Sequence, residues 1–453
     1  MTKGPKQVRR LARNEFAAAL KKGQGRALQH VLAYGLDDVS DLVLDACLHD
    51  QRYDAQAEPG RGAWLFQMFG HSELYLRFQA TILEHLKTET NTWDALQLLF
   101  LAAEMADHGD EQARQELGAK LRERAARVEW SDDWLGAELW VELAGESGLL
   151  ELARIYGKRL LKDPKDLVPG NIFGEGGTAQ EHRETLRRYA EGEPEIKIYS
   201  DYLEERDAKK EAWATIRVDE AARNREAVRR QYDVARILKV AKAHASEWPG
   251  RFYRFGRVAT APELEEIHNL LLQERDVEAR LRLLWVFRRA TLPLLSNTLF
   301  EWANGSDPVI RAAAIAALSN SHDVRVHELA IAKARAGELV GADSEALELF
   351  RNNYLASDAP IISQAVLLLR PSADDAHDLS FSLTDLATQY PDMGMAPALL
   401  WVYENTPCAY CRERALVQLD ARQRLSADVV QECLFDSSEH IRLFAQNQPA
   451  SKS

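Results

Sequence analysis

Hydrophobic residues recur every three or four positions along most of the chain, which is the spacing of one face of an α-helix. Alternating runs of β-branched residues are scarce, so the pattern predicts an all-α fold. Residues 24–160 hold three clear apolar stripes, each typical of an amphipathic helix. These stripes are Val39, Leu42, Val43, Ala46 and Cys47; Leu96, Leu99, Phe100 and Ala103; and Leu149, Leu152, Ala153 and Tyr156.

The segment 307–318 carries the most complete helix signal. Asp307 is suited to cap the N-terminus, and Pro308 fits the first helical position, where its missing N–H costs no helical hydrogen bond. Arg311 follows four residues after Asp307, within reach of its carboxylate on a helix. One face of this predicted helix is apolar and consists of Ile310, Ala314, Ala317 and Leu318.

Weaker copies of this pattern occur at Asp276 with Arg280 and at Asp436 with Arg442. Arg280 and Arg311 lie 31 positions apart, near the lower end of repeat periods in helical solenoids. The pattern resembles the HEAT repeat, in which an Asp and an Arg recur at the turns between repeats. We therefore predict an all-α, HEAT/ARM-like α-α superhelix, a solenoid of helical hairpins, with an irregular helical bundle as the alternative.

Two further motifs resemble a group of uncharacterised bacterial HEAT-repeat proteins. They are Tyr53-Asp54-Ala55-Gln56-Ala57-Glu58 followed by Arg61, and Tyr403-Glu404-Asn405-Thr406-Pro407-Cys408-Ala409-Tyr410-Cys411-Arg412-Glu413. The likeness extends over most of the chain. It implies the fold and a bacterial source, but no activity.

Proline and glycine cluster between residues 163 and 177 and suggest a boundary. We predict three segments: N-terminal helical repeats (1–162), a Gly/Pro loop with a charged helical middle (163–260), and C-terminal HEAT-like repeats (261–453). From Glu204 to His244 the chain has neither Pro nor Gly, which predicts one long helix ended by Pro249 and Gly250.

The composition is that of a globular chain, with 46% hydrophobic and 28% charged residues among 453. No apolar stretch approaches the roughly 18 residues of a membrane span, and no signal sequence is evident. Together with only four cysteines, this predicts a cytoplasmic protein. Nucleophile, dinucleotide and metalloprotease motifs are missing, so we expect no enzyme and no cofactor, while a site assembled across the fold remains open.

The formal net charge of −13 hides two basic segments. Residues 1–30 carry eight Lys/Arg against one acid, and residues 206–257 carry fourteen against seven. In 251–257 cations alternate with aromatic residues, a pattern suited to phosphates and stacked bases. The alternative is a solvated helix whose aromatic residues belong to the core. The predicted nucleic-acid contacts are Arg229, Arg230, Arg236, Lys239, Arg251, Tyr253, Arg254 and Arg257.

A polar stretch at 49–61 is a second candidate site, for a ligand or a protein partner. Its carboxylates, arginine and tyrosine are equally suited to a capping and salt-bridge network that orders a long turn, and we favour that interpretation. The candidate binding residues are Tyr53, Asp54, Gln56, Glu58 and Arg61.

Cysteine and histidine occur near the C-terminus as C-x2-C-x21-C-x6-H, formed by Cys408, Cys411, Cys433 and His440. Zinc accepts such ligands. Each cysteine also lies in an ordinary apolar stripe, where free cysteine behaves as a small hydrophobe. We favour that interpretation and predict no metal ligand.

These features favour a non-enzymatic scaffold or regulatory subunit that binds protein partners across stacked helices. The acidic body favours a basic partner. The alternative is a nucleic-acid-binding component of a bacterial defence or repair system that uses residues 206–257. No membrane contact is expected, and the oligomeric state is not predicted.

Overall fold

The computed structural model describes residues 8–126, 136–169, 177–243, 250–391 and 393–448. Helices dominate this part of the chain, and it contains no β-strand. The predicted all-α class is therefore confirmed. No helix among these residues is long and apolar enough to cross a lipid bilayer.

The α-helices are numbered in chain order. The first twelve are α1 Arg13–Lys22, α2 Gly25–Tyr34, α3 Ser40–Leu48, α4 Gly62–Phe69, α5 Tyr75–Thr88, α6 Thr92–Asp107, α7 Glu111–Ala126, α8 Ala137–Lys162, α9 Gly177–Ala190, α10 Pro194–Gln231, α11 Val234–Ala241 and α12 Gly250–Val258. The rest are α13 Ala261–Gln273, α14 Val277–Phe287, α15 Asn297–Ala303, α16 Pro308–Leu318, α17 Val324–Ala336, α18 Ala359–Leu368, α19 Ala373–Gln389, α20 Ala396–Asn405, α21 Ala409–Ala421, α22 Ala427–Cys433 and α23 Glu439–Gln446. Short 3-10 helices cover Asp37–Val39, Gly341–Phe350, Ala356–Asp358 and Met393–Met395.

The chain divides into two compact units. Unit 1 comprises Met1–Thr215 together with Ala427–Ser453, and unit 2 comprises Ile216–Ser426. The division falls inside α10, whereas the predicted boundaries lie at 162/163 and 260/261. Two elements of the predicted middle segment, α11 and α12, therefore belong to the same unit as the helices from α13 to α21.

Unit 2 contains a continuous row of helical elements, each packed on the next. The row runs from α12 through α14 and α16 to the 3-10 helix Gly341–Phe350, then to α19 and α21. Helices α13, α15 and α17 each pack against a member of this row, and α18 packs on α20. Small residues permit close approach: a Cβ on Gly256 of α12 would lie 2.1 Å from the Val286 backbone oxygen of α14.

Unit 1 has two clusters of buried hydrophobic residues. The predicted stripes through Val43 and Leu99 lie in the first, around α4, α6 and α7, and the stripe through Leu152 lies in the second. Val43, Leu99 and Leu152 are fully buried, each on one of those stripes. The α8 span contains a break at Gly145, whose φ of +57° and ψ of −139° are not helical. Glycine tolerates this conformation because it has no Cβ.

The last helices of the chain complete unit 1 by packing on its first ones. The Ser437 amide donates to the Gly23 carbonyl at 2.9 Å, and the Trp64 indole donates to the Phe435 carbonyl at 2.8 Å. Arg26 forms an ion pair with Glu432 at 2.7 Å. Residues far apart in sequence thus form one core.

The predicted long helix is present, but it ends earlier than Pro249 and Gly250. Helix α10 begins earlier, at Pro194, and stops at Gln231. The Asp233 side chain accepts from the Arg236 amide at 2.8 Å and caps a separate helix, α11. A capping carboxylate thus ends the run of helix formers where neither Pro nor Gly is present.

The Asp–Arg pattern has a recurrent geometry that differs from the predicted one. Asp307 caps α16 as predicted, accepting from the Val309 and Ile310 amides at 2.9 and 3.2 Å. Arg311 does not pair with it; its guanidinium donates to the Gly305 carbonyl at 2.7 Å and to Asp343 at 3.0 Å. Each of the three arginines donates to the carbonyl six residues before it: Arg280 to Glu274 at 2.9 Å, Arg311 to Gly305 at 2.7 Å and Arg442 to Asp436 at 2.7 Å.

Candidate functional sites

The polar stretch 49–61 forms an internal network of ion pairs. Arg52 contacts Asp50 at 2.5 Å, and these side chains are only 3% and 2% exposed. Arg61 lies 3.3 Å from Glu58, donates to the Lys21 carbonyl at 2.8 Å, and is also almost fully buried. Separating a buried ion pair of this kind is unfavourable, because it leaves an uncompensated charge in the interior.

Two of the five predicted binding residues in this stretch are buried, and the other three are at least partly exposed. Glu58 and Arg61 are buried in the network, whereas Asp54 and Gln56 are exposed and Tyr53 is half-buried. The Asp54 carboxylate accepts from the Gln56 amide at 3.1 Å and shapes the turn. These contacts support the structural interpretation of the loop.

The basic segment presents cations on the surface of unit 2. Arg229, Arg236, Lys239, Arg254 and Arg257 are exposed, and Arg251 is half-buried. Acidic partners are also present, since Arg229 lies 3.6 Å from Glu263. The side chain of the predicted contact Arg230, on α10, lies outside the described residues.

The aromatic residues of this segment point into the core. Phe252 and Phe255 are 0% and 1% exposed. Tyr253 is half-buried, packs edge-on against Trp285, and lies under the Arg288 guanidinium at 5.8 Å. The two phenylalanines are thus unavailable to stack on bases, and the surface of this segment offers cations for phosphate contacts.

An apolar groove lies between α18 and α20 in unit 2. Leu367 and Leu368 are 48% and 75% exposed at the end of α18, and Leu400 is 36% exposed on α20. The exposed positions of α20 include 397, 400 and 404, which share one helical face. The groove is lined by Pro360, Ser363, Gln364, Leu367, Leu368, Gly394 and Pro397.

Acidic residues dominate the sequence around this groove. Residues 355–405 carry seven Asp/Glu and a single cation, Arg370. Glu404 continues the exposed face of α20, and Asp374, Asp378 and Asp385 are exposed on α19. An apolar surface with an acidic surround is complementary to a ligand that is apolar on one side and basic at its edges.

A smaller cleft in unit 1 lies beside Tyr75, Asp110 and two exposed histidines, His71 and His108. Tyr75 donates to Asp110 at 2.5 Å, and the Asp110 carboxylate also accepts from the Ala113 amide at 2.9 Å, at the start of α7. Burial opposes ionisation of Asp110, but these hydrogen bonds outweigh it and lower its pKa. The Asp110 carboxylate therefore links α5 to the start of α7 through these hydrogen bonds.

The structure brings together three potential metal ligands in unit 2. His377 lies on α19, Cys408 is the N-cap residue of α21, and Cys411 is in the first turn of α21. Their ligand atoms all lie within 4.8 Å of one another, and Cys411 Sγ is 3.8 Å from His377 Nδ1. A hydrogen bond with the Cys408 thiol, together with burial, raises the pKa of Cys411.

The C-x2-C-x21-C-x6-H spacing in the sequence does not indicate this cluster. Cys433 and His440 belong to unit 1, while the third member of the cluster, His377, lies 34 residues before Cys411. All four cysteines fall in the described part of the chain and are buried, with no disulfide among them. No local spacing links His377 to the cysteine pair.

Comparison with known proteins adds no family to these observations. A scan against protein-family models, a search of curated proteins and a search of solved structures each found no match.

Proposed function

We propose that this protein is a HEAT-like interaction scaffold that binds a basic amphipathic helix of a partner protein in the groove between α18 and α20. The exposure of Leu367 and Leu368, 48% and 75%, carries this proposal. Adjacent exposed leucines beside two prolines make an apolar surface of the kind that partner helices cover.

The HEAT-like part of the proposal is supported by packing and by recurrence. In unit 2 a row of helical elements is accompanied by helices that pack against it, as stacked helical hairpins require. Arg280 and Arg311 also make the same contact with the turn before their helices, 31 residues apart.

A helical occupant suits the chemistry of the groove and the helices that line it. Helices α18 and α20 pack on each other and line the groove. A third helix can pack against such a pair through residues spaced at i, i+3, i+4 and i+7. The exposed acids Glu404 on α20 and Asp374 and Asp378 on α19 favour Lys or Arg at the edges of that helix.

The test uses a fluorescein-labelled amphipathic Lys/Leu peptide of about four helical turns, with binding followed by fluorescence anisotropy. We expect the variant Leu367→Gln/Leu368→Gln to bind about tenfold or more weakly, because two leucines no longer bury apolar surface. Leu76→Gln on α5, where the leucine is 72% exposed, is the matched control and should bind like the parent chain.

Two outcomes would contradict the proposal. One is a Glu/Leu peptide of the same length that binds as tightly as the Lys/Leu peptide, since the acidic surround should repel it. The other is unchanged binding by the double variant, which would place the peptide elsewhere on the protein.

The exposed cations at Arg236, Lys239 and Arg257 support a second candidate, binding of nucleic-acid phosphates by unit 2. Such binding should weaken steeply with salt in proportion to the phosphates contacted. Titration of a labelled single-stranded oligonucleotide at several salt concentrations separates it from the scaffold function. Arg236→Glu/Lys239→Glu should abolish oligonucleotide binding and leave peptide binding unchanged.

A further inference from the structure

The His377, Cys408 and Cys411 side chains form a compact set of one imidazole and two thiols. Cys408 and Cys411 are 4% and 2% exposed, and His377 is half-buried. Zinc bonds of about 2.3 Å to sulfur and about 2.0 Å to nitrogen, at tetrahedral angles, separate the ligand atoms by roughly 3.5–3.8 Å. The 3.8 Å between Cys411 Sγ and His377 Nδ1 already matches that separation.

We propose that His377 Nδ1, Cys408 Sγ and Cys411 Sγ bind a zinc ion, with water in the fourth position. Two sulfur donors and one imidazole favour zinc over magnesium and calcium, because those two ions bind mainly to oxygen ligands.

The local fold brings the three ligand side chains close together. Helix α20 ends at Asn405, and the Cys408 amide donates to the buried Thr406 hydroxyl at 3.4 Å in the turn that follows. Cys408 occupies the N-cap of α21, and its sulfur lies within 4.8 Å of the ligand atoms of His377 and Cys411. Cys411 and Cys408, three residues apart across the start of a helix, then lie on the same side.

The ion would connect elements that are separate in sequence. His377 comes from α19, and the cysteines from the turn between α20 and α21. Both thiols lose their protons on binding, and the two thiolates then balance the charge of Zn²⁺. The bound ion should therefore stabilise unit 2 specifically, since all three ligands lie within it.

The test measures metal binding directly on the full chain. The protein is purified under reducing conditions, its zinc content is measured by mass spectrometry, and the metal-free form is titrated with Co²⁺ in the absence of oxygen. We expect about one zinc per chain and a thiolate-to-cobalt charge-transfer band that Zn²⁺ then abolishes by displacement.

Three variants define the ligand set. Cys408→Ser/Cys411→Ser should lose the charge-transfer band. His377→Gln should keep it, because both thiolates remain, but should bind Co²⁺ more weakly by at least the 10–100-fold typical of losing even a supporting contact. Cys47→Ala removes a buried cysteine of unit 1 and should leave the titration unchanged.

Several results would overturn the proposal. These are a reduced parent chain that neither contains zinc nor shows the cobalt band, a double-cysteine variant that binds as the parent does, or a His377→Gln variant of unchanged affinity. Circular dichroism of each variant separates loss of a ligand from loss of the fold. None of these readouts depends on peptide binding at the α18–α20 groove, so the two proposals fail independently.

Discussion

Arg311 donates from Nε to Asp343 at 3.0 Å, although the two residues are 32 positions apart. Lys333, only 2% exposed, lies 2.9 Å from the same Asp343 oxygen. The carboxylate thus accepts from two cations on α16 and α17, at the start of the 3-10 helix Gly341–Phe350. It ties three consecutive helical elements of unit 2 together.

Loss of this carboxylate should be costly. We expect Asp343→Ala to lower the free energy of unfolding by about 1–3 kcal/mol, because Arg311 loses its ion pair and the buried Lys333 keeps only one of its two acidic partners, the half-exposed Glu338. Urea denaturation followed by circular dichroism measures the change. Lys197→Ala breaks an exposed pair with Asp201 and should cost no more than about 0.5 kcal/mol; an equal loss in both variants would refute the special role of Asp343.

Substitution at Gly25 should loosen the packing of the C-terminal helices. A Cβ there would lie 2.0 Å from the Glu432 carbonyl oxygen, so α22 must move away from α2. We expect Gly25→Ala to destabilise the chain by about 1–3 kcal/mol and to speed proteolysis within residues 427–448. Gly192→Ala is the control, since a Cβ at Gly192 meets nothing within 4 Å, and proteolysis at the parent rate in Gly25→Ala would contradict the expected clash.

His30 should make the protein less stable in mild acid. Its Nδ1 accepts from the Leu11 amide at 3.0 Å, and burial, aided by the charge of Arg10, lowers its pKa. The unfolded chain therefore binds the proton more readily, and stability falls as the pH drops through about 6.5 toward the lower folded pKa.

The size of this effect follows from proton linkage. One histidine contributes up to about 1.4 kcal/mol per pH unit in that window. His30→Gln keeps a hydrogen-bond acceptor but cannot be protonated there, so its unfolding free energy should fall less between pH 7.5 and 5.5. Identical pH dependence in the parent chain and the variant would show that His30 is not the group responsible.

In the polar stretch 49–61, we expect substitutions of buried residues to lower stability and substitutions of exposed residues to have little effect. Glu58→Ala leaves the Arg61 charge buried and should lower the unfolding free energy by about 3 kcal/mol. Gln56→Ala, at an exposed position of the same turn, should stay within about 0.5 kcal/mol of the parent chain. Chemical denaturation compares them, and similar losses would contradict a network centred on Glu58 and Arg61.

Local signals in the sequence were sufficient to predict individual helices. The stripe through Leu149 and Tyr156 and the cap at Asp307 depend on neighbours within one or two turns, and both are confirmed. The difference at the end of α10 has the same local character: the pattern of helix formers continues through Asp233, whereas its carboxylate caps the next helix. Periodicity alone cannot decide between a helical and a capping Asp.

Such local signals do not predict contacts between residues that are far apart in the sequence. The partner of Arg311 was expected one turn away at Asp307 but lies at Asp343, because the guanidinium reaches the adjacent element. The proximity of His377 to Cys411 likewise arises from the packing of α19 on α21. The choice between core and surface for Phe252 and Phe255 also depends on neighbouring helices, and a string of alternating residues does not contain that information.

The packing of α22 on α2 has a consequence for folding during translation. The ribosome must translate the whole of unit 2 after Thr215 and before it reaches Ala427, where unit 1 resumes. This takes roughly 10–40 s at about 5–20 residues per second. Throughout that interval the surface around Gly25 and Trp64 has emerged without the segment that covers it. The nascent chain must therefore keep this surface from aggregating, and a premature stop codon before residue 427 would leave it exposed permanently.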